Sequence, residues 1–201
     1  MAEKIKIEIY RKKEFEELTK ALADPESRME SGSGAAATAA IAASLFSRAA
    51  ALCLQSDSQN ERLDYLVRNA EILRDYMVHL VDEDVKCRGP LRRAKQEGDP
   101  RKIEAASQTA AAICNEIINM MGTQLELLEE LSACCTESAA LFAAGAADLS
   151  LGAIKAAMRY VLDLSKASSD DTYRYVVRRE NEIALERFTK SYESALEKLS
   201  V

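Results

Sequence analysis

The sequence predicts an all-helical protein, an up-and-down bundle of about six helices with two alanine-rich helices at its centre. Its 201 residues include 33 alanines but only 7 glycines and 3 prolines, and aromatic residues make up 5%. Sandwiches and barrels of β-strands need more β-branched, aromatic and turn-forming residues than this chain has. Long segments instead carry apolar residues at spacings of three and four, which is typical of one face of a helix. The apolar fraction of 48% predicts a folded chain, and we expect residues 1–201 to form a single domain.

The first part of the chain predicts a short helix followed by an alanine-rich one. Glu14 to Ala23 has its apolar residues on one face and stops before Pro25, because the residue before a proline avoids the helical conformation. A loop rich in Ser and Gly is expected at residues 24–34. The second helix, Ala35 to Leu54, is almost entirely small residues, which permit close approach of neighbours and favour a central position. Only Lys4 to Tyr10 is a candidate extended segment.

The middle of the chain predicts two long amphipathic helices. The third helix runs from Asn60 to about Arg88, where Gly89-Pro90 is expected to kink or interrupt it. Asp99 caps the fourth helix, which starts with a proline at its first position and runs from Pro100 to about Leu131.

The last part predicts a second alanine-rich helix and a charged one. We expect the fifth helix at Glu137 to Leu164 and the sixth at Thr172 to Leu199. The two alanine-rich helices would lie inside four amphipathic ones, as in an up-and-down bundle. Small-residue faces on long helices also favour a homodimer.

Charge and cysteine content narrow the range of partners. A net charge of −6 and a pI of about 5.1 do not draw the chain as a whole to nucleic acid. The sequence has no run of 18 uninterrupted apolar residues, which a membrane-spanning helix would need. The first residues lack the pattern of a signal peptide. We therefore expect a cytoplasmic protein with no membrane partner. Five widely spaced cysteines and one histidine do not form a zinc set, and they are interpreted as small apolar residues in a reducing compartment, with no metal.

The stretch Ser31-Gly32-Ser33-Gly34 leads into the first alanine-rich helix. Free backbone N–H groups at a helix start, together with the helix dipole, can bind an anion or a ring carbonyl. Glycines let a ligand approach the backbone closely. The alternative interpretation is a flexible loop with a serine helix cap.

Three consecutive acids, Asp82, Glu83 and Asp84, lie in the third predicted helix. Asp84 is four residues after Leu80, an apolar stripe residue, so its side chain should lie at the edge of the buried face. A carboxylate in that position can transfer protons. The alternative is a solvated acidic face. His79, on the same helix, could act as a general base, but we expect it to lie at the edge of the surface.

The order of these features resembles the cyclodeaminase/methenyltetrahydrofolate cyclohydrolase family, which includes the C-terminal domain of formiminotransferase-cyclodeaminase. The resemblance covers roughly Glu14 to Leu164, and its motifs are the Ser/Gly stretch and Leu80-Val81-Asp82-Glu83-Asp84. It implies an all-helical, usually dimeric protein that acts on one-carbon derivatives of tetrahydrofolate, its substrate, without a metal or another cofactor. Asp84 stands where the family has an aspartate, and the family's Ser-Asp pair falls on Thr136-Glu137.

The resemblance also suggests roles for further residues. Asp84, Asp82 and Glu137 are the candidate catalytic acids, and Glu137 could accept the pterin amino and ring N–H groups. Ser31 to Gly34, Arg88 and Arg93 are the candidate substrate-binding residues, the two arginines because a folate tail carries carboxylates. The alternatives are a helix-terminal charge for Glu137 and a solvated basic face for the arginines.

The sequence therefore predicts a 5-formiminotetrahydrofolate cyclodeaminase or a 5,10-methenyltetrahydrofolate cyclohydrolase. A catalytically inactive folate-binding or structural helical dimer is the alternative. The stretch at residues 31–34 lacks the prolines of the family's glycine loop, and an asparagine the family tends to carry is absent from Ala156 to Asp163. Both departures favour that alternative. A third and weaker hypothesis is a helical adaptor that binds proteins through its acidic faces.

Overall fold

The computed structural model describes residues 9–199, and within that range it contains six α-helices and no strand. A 3-10 turn at Tyr10–Lys12 precedes the helices α1 (Phe15–Ala23), α2 (Ser31–Ser56), α3 (Glu61–Glu97), α4 (Pro100–Ser132), α5 (Glu137–Ser165) and α6 (Asp171–Leu199). The predicted all-helical class is confirmed. Most of the candidate extended segment, residues 4–8, lies outside the described residues, and Tyr10 begins the 3-10 turn.

The alanine-rich helices α2 and α5 form the centre of the bundle, as predicted. Helix α2 packs against α3 and α5 and also touches α4, while α5 packs against α2, α4 and α6. The contact faces of α2 and α5 are formed mainly by fully buried alanines, such as Ala39 and Ala146. Side chains this small let helix axes approach closely and leave little space between them.

Helix α2 begins at Ser31, so the predicted loop at residues 24–34 is wrong over its last four residues. Gly34 N donates to Glu30 O at 3.1 Å, which closes the first helical turn. Gly32 and Ser33 in this turn are buried. Glycine disfavours helix locally, but packing of this turn against α3 overrides that preference.

Helix α3 continues through Gly89-Pro90 to Glu97, so the predicted kink or interruption did not identify a helix end. An internal proline costs about 3 kcal/mol of helix stability. Buried residues lie on both sides of the proline, with Val85 and Arg88 before it and Leu91 and Ala94 after it. Burial on both sides holds the two segments in one helix.

Helix α6 is held to the bundle by few buried side chains. Only Phe188 and Ala195 of this helix are buried, and they face α4 and α5. The Phe188 ring lies directly over Gly122 of α4. Gly122 is therefore the position that admits the main anchor of α6.

Helices α2 and α5 are each long and apolar enough, by length and composition, to cross a membrane. A core helix of a water-soluble bundle meets the same criteria. About half of the most apolar window of each helix is already buried against other helices of the chain. The expected lack of a membrane partner remains a prediction.

The five cysteines are free thiols in different environments. Cys53 and Cys114 are buried, as expected for small apolar residues, whereas Cys134 is exposed. Burial raises the pKa of the Cys114 thiol to about 12. The thiolate, which is the reactive form, is therefore nearly absent from Cys114 at neutral pH.

We expect Cys114 to resist alkylation in the folded protein. At pH 8, iodoacetamide should label Cys134 at least about tenfold faster than Cys114, because Cys114 is both enclosed and protonated. Peptide mass spectrometry over a time course measures both rates, and unfolding in urea should bring them together. Equal rates in the folded protein would contradict the burial described for Cys114.

Candidate functional site

Asp84 lies buried between the middle of α3 and the first turn of α2, and both of its carboxylate oxygens have partners. Ser33 Oγ donates to Oδ2 at 2.8 Å. Arg88, one turn further along α3, donates to Oδ1 from Nε at 2.9 Å and from Nη2 at 2.7 Å. The structure therefore brings Asp84 into contact with Ser33 of the Ser/Gly stretch, and that stretch is helical.

Gly32 makes this close approach between α2 and α3 feasible. A Cβ atom at Gly32 would lie 2.3 Å from Asp84 Oδ1 and 2.8 Å from Arg88 Nη2. No real Cβ is found at such distances, and both neighbouring groups are themselves buried. Glycine at this position lets the ion pair lie against the backbone of the first turn of α2.

Arg88 is buried, so the alternative of a solvated basic face is wrong for this residue. Its side chain is 1% exposed and pairs with Asp84. Nη1 donates to Glu30 Oε2 at 2.9 Å, and the guanidinium lies 3.8 Å from the centre of the Tyr160 ring. A buried arginine needs such partners, because an unpaired charge in the interior is very costly.

Glu30 connects this buried pair to the surface. Its Oε2 also accepts from the Tyr160 hydroxyl. Its Oε1 lies 3.6 Å from Arg92 Nη1. Three parts of the chain meet at Glu30, which directly precedes α2: Glu30 itself, the second half of α3 and the C-terminal part of α5.

A surface cleft of about 660 Å³ adjoins Glu30, between the segment before α2 and the second half of α3. We call it the basic cleft, and its charged lining residues are Glu26, Arg28, Glu30, Lys86, Arg92 and Arg93. Lys86 also donates to Glu83 at 2.7 Å, and this bond lowers the pKa of the Glu83 carboxyl. Of the two predicted substrate-binding arginines, Arg93 is exposed and lines the cleft, whereas Arg88 is buried.

Asp82 points away from this cluster. Its Oδ1 accepts from Tyr10 N at 2.7 Å, and its Oδ2 lies 3.3 Å from Arg11 Nε. His79, half-exposed on the same side, lies 2.6 Å from Arg11 Nη1 through its Nδ1. These contacts hold the 3-10 turn to α3, and they occupy the Asp82 carboxylate.

Glu137 lies at the opposite end of the bundle from Asp84. It is exposed at the start of α5, 23 residues before Tyr160 on the same helix. At a rise of 1.5 Å per residue the two positions are roughly 35 Å apart. Within one chain, Glu137 and Asp84 do not share a site.

The sequence did not single out Glu30 or Tyr160. Arg92 was not among the predicted binding residues either. Glu30 lies 58 residues from Arg88 and 130 from Tyr160, so no local spacing connects them. A tyrosine within an alanine-rich helix was the one signal, since a large polar side chain there needs a partner. Within residues 9–199, no group of three or more His, Cys, Asp or Glu residues could hold a metal ion.

Comparison with known proteins places these features in context. The structure superimposes on the crystal structure of formiminotetrahydrofolate cyclodeaminase from Thermotoga maritima with a TM-score of 0.86. The two share 19% sequence identity, and the match covers 94% of this chain and 96% of the other. The fold is therefore that of the all-helical cyclodeaminases.

The family model named Formiminotransferase-cyclodeaminase matches residues 14–182, a range that contains Glu30, Asp84, Arg88 and Tyr160. This chain belongs to the formiminotransferase-cyclodeaminase family. A comparison with curated protein sequences gave no match.

Proposed function

We propose that this protein acts on a one-carbon derivative of tetrahydrofolate. The reaction would be ring closure of 5-formiminotetrahydrofolate with loss of ammonia, or addition of water to the 5,10-methenyl form. The observation that supports it most is a buried aspartate, Asp84, beside the first turn of α2 in a chain of this family. Both reactions need a proton to be moved at N5, N10 or the one-carbon centre, which a positioned carboxylate can do.

In this proposal the first turn of α2 and Asp84 have complementary roles. The N–H groups of Ser31, Gly32 and Ser33 precede the first intrahelical bonds of α2 and can bind a ring carbonyl or developing negative charge. Asp84 would accept and return the proton, and Ser33 orients its carboxylate. Arg88 pairs with Oδ1 of Asp84 in this structure, while Oδ2 accepts from Ser33. Asp82 and Glu137 lie elsewhere, and we assign them no step.

Replacing Asp84 with asparagine should lower kcat about 10²–10⁴-fold in whichever reaction the protein catalyses, because the amide cannot transfer the proton. Absorbance of the 5,10-methenyl chromophore and ammonia release measure the two reactions. Asp75→Asn is the matched control, since Asp75 is exposed on the same helix. Circular dichroism confirms that both variants are folded. An Asp84→Asn enzyme with the wild-type kcat would exclude Asp84 as the acid/base.

A second candidate function is a non-catalytic folate-binding or structural protein. The observation that favours it is the complete burial of Asp84, with each oxygen engaged by Ser33 or Arg88. On this hypothesis neither the absorbance assay nor the ammonia assay detects activity, while a tetrahydrofolate derivative still raises the melting temperature. If the protein has no activity in either assay and the tetrahydrofolate derivative does not raise its melting temperature, it has kept the fold but lost the folate pocket.

We also propose that the protein works in the cytoplasm as a homodimer. Exposed apolar side chains support the dimer, and they include Phe15, Leu22 and Ile41, which line a groove between α1, α2 and α3. Multi-angle light scattering after size exclusion measures the mass directly. A mass near 22 kDa at micromolar concentration would contradict the dimer.

A further inference from the structure

The donors around Glu30 form a complete binding site for a carboxylate. One oxygen, Oε2, accepts from Arg88 Nη1 and from the Tyr160 hydroxyl. The other oxygen, Oε1, faces Arg92. We propose that this is a ligand subsite for a carboxylate group and that Glu30 occupies it as an internal stand-in.

Arg88, the buried donor, keeps its other partners without Glu30. Arg88 is held by two hydrogen bonds to Asp84 and by the Tyr160 ring, none of which involves Glu30. The Glu30 side chain is 40% exposed, and although Glu30 precedes α2 directly, its carboxylate makes no helix-capping bond. A ligand carboxylate can therefore replace the Glu30 carboxylate without dismantling the fold around it.

The basic cleft explains why an anionic ligand would enter. Within the described range, residues 9–199, neither Arg28 nor Arg93 has an ion-pair partner, and both line the cleft. Four cationic and two acidic side chains face this space, although the chain as a whole carries a net charge of −6. A local excess of positive charge attracts anions, and Arg28 or Arg93 is placed to hold a second carboxylate. The ligand class is thus a small molecule with two carboxylates.

Glu30 lowers the affinity of such a ligand, because a tethered carboxylate competes at a high effective concentration. Glu30→Gln keeps the size of the side chain and a hydrogen-bond acceptor but removes the charge. We expect Glu30→Gln to bind glutarate, used as the probe, at least about tenfold more tightly than the wild type in isothermal titration calorimetry at low salt, which equals about 1.4 kcal/mol.

Two further variants make the result specific. Glu180→Gln makes the same charge change on the exposed face of α6 and should leave the glutarate affinity at the wild-type value. Arg92→Ala should weaken glutarate binding about tenfold in the wild-type background, which gives an independent test if Glu30→Gln does not fold. An unchanged affinity in Glu30→Gln, an equal gain in Glu180→Gln, or an unchanged affinity in Arg92→Ala would each overturn the subsite.

The carboxylates could belong to a folate's glutamate tail or to a free dicarboxylic acid, and a second titration separates them. If the source is a folate, Glu30→Gln gains affinity for 5-formyltetrahydrofolate as well, and glutarate competes with it. If the source is a free diacid, only glutarate gains affinity. The subsite does not depend on the proposed reactions, because glutarate binding requires no turnover. A chain that is silent in the folate assays can still show the Glu30→Gln gain.

Discussion

Replacing Arg88 with methionine should lower the free energy of unfolding by about 3–5 kcal/mol, the cost of leaving a buried charge without its partner. Asp84 would lose two of its three hydrogen bonds and remain enclosed between α2 and α3. Glu30 would also lose a partner, but it is partly exposed and can be hydrated. Urea unfolding followed by circular dichroism measures the change.

Two comparisons show whether the loss comes from the buried charge. Arg93→Met removes an exposed arginine of the same helix and should cost less than about 0.5 kcal/mol. The double variant Asp84→Asn, Arg88→Met removes both charges and should be more stable than Arg88→Met alone. An Arg88→Met protein as stable as Arg93→Met would mean that Asp84 and Arg88 are not a buried ion pair.

Replacing Phe188 with alanine should cost about 3–5 kcal/mol, because it removes the largest buried side chain of α6. Gly122→Ala should also destabilise the protein, by about 1–3 kcal/mol. Its new Cβ would lie 2.1 to 2.7 Å from three atoms of the Phe188 ring. In an exposed helix interior, replacing glycine with alanine stabilises a protein by about 0.5–1 kcal/mol. Gly152→Ala is the matched control, because nothing lies within 4 Å of its new Cβ.

A double-mutant cycle identifies the contact between the two residues. With Phe188 truncated, the added methyl at Gly122 fills space instead of colliding, so the double variant should be less destabilised than the sum of the two single variants. The coupling is measured from the four unfolding free energies. Additive losses would show that Phe188 does not lie over Gly122.

The sequence predicted the helices well wherever local pattern and tertiary packing agree. The alanine content of α2 and α5 indicated both their helical structure and their central position, since small side chains have that consequence in any bundle. The two errors, the loop at Ser31 to Gly34 and the end of the third helix near Arg88, both fall where local preference disfavours helix. In each case burial against another helix outweighs that preference, and burial cannot be known from local sequence.

The candidate site was predicted only in part, for a related reason. The position of Asp84 at the edge of the apolar stripe followed from helical spacing, but its burial depends on Gly32 and Ser33 of a distant helix. Arg88 was predicted to bind substrate or to lie on a solvated basic face. Its burial was missed because its partners Glu30 and Tyr160 come from remote parts of the chain. Asp82 and Asp84 are two residues apart on a helix, so they face different directions and meet different partners.

The absorbance of the 5,10-methenyl chromophore, followed for the purified protein with each of the two substrates, tests the proposed function most directly. Starting from 5-formiminotetrahydrofolate, a cyclodeaminase makes this absorbance appear, and starting from 5,10-methenyltetrahydrofolate, a cyclohydrolase makes it disappear. We expect one of these changes with the wild type, and a rate at least about a hundredfold lower with Asp84→Asn. No enzyme-dependent change with either substrate would contradict the proposal that this protein catalyses one-carbon folate chemistry.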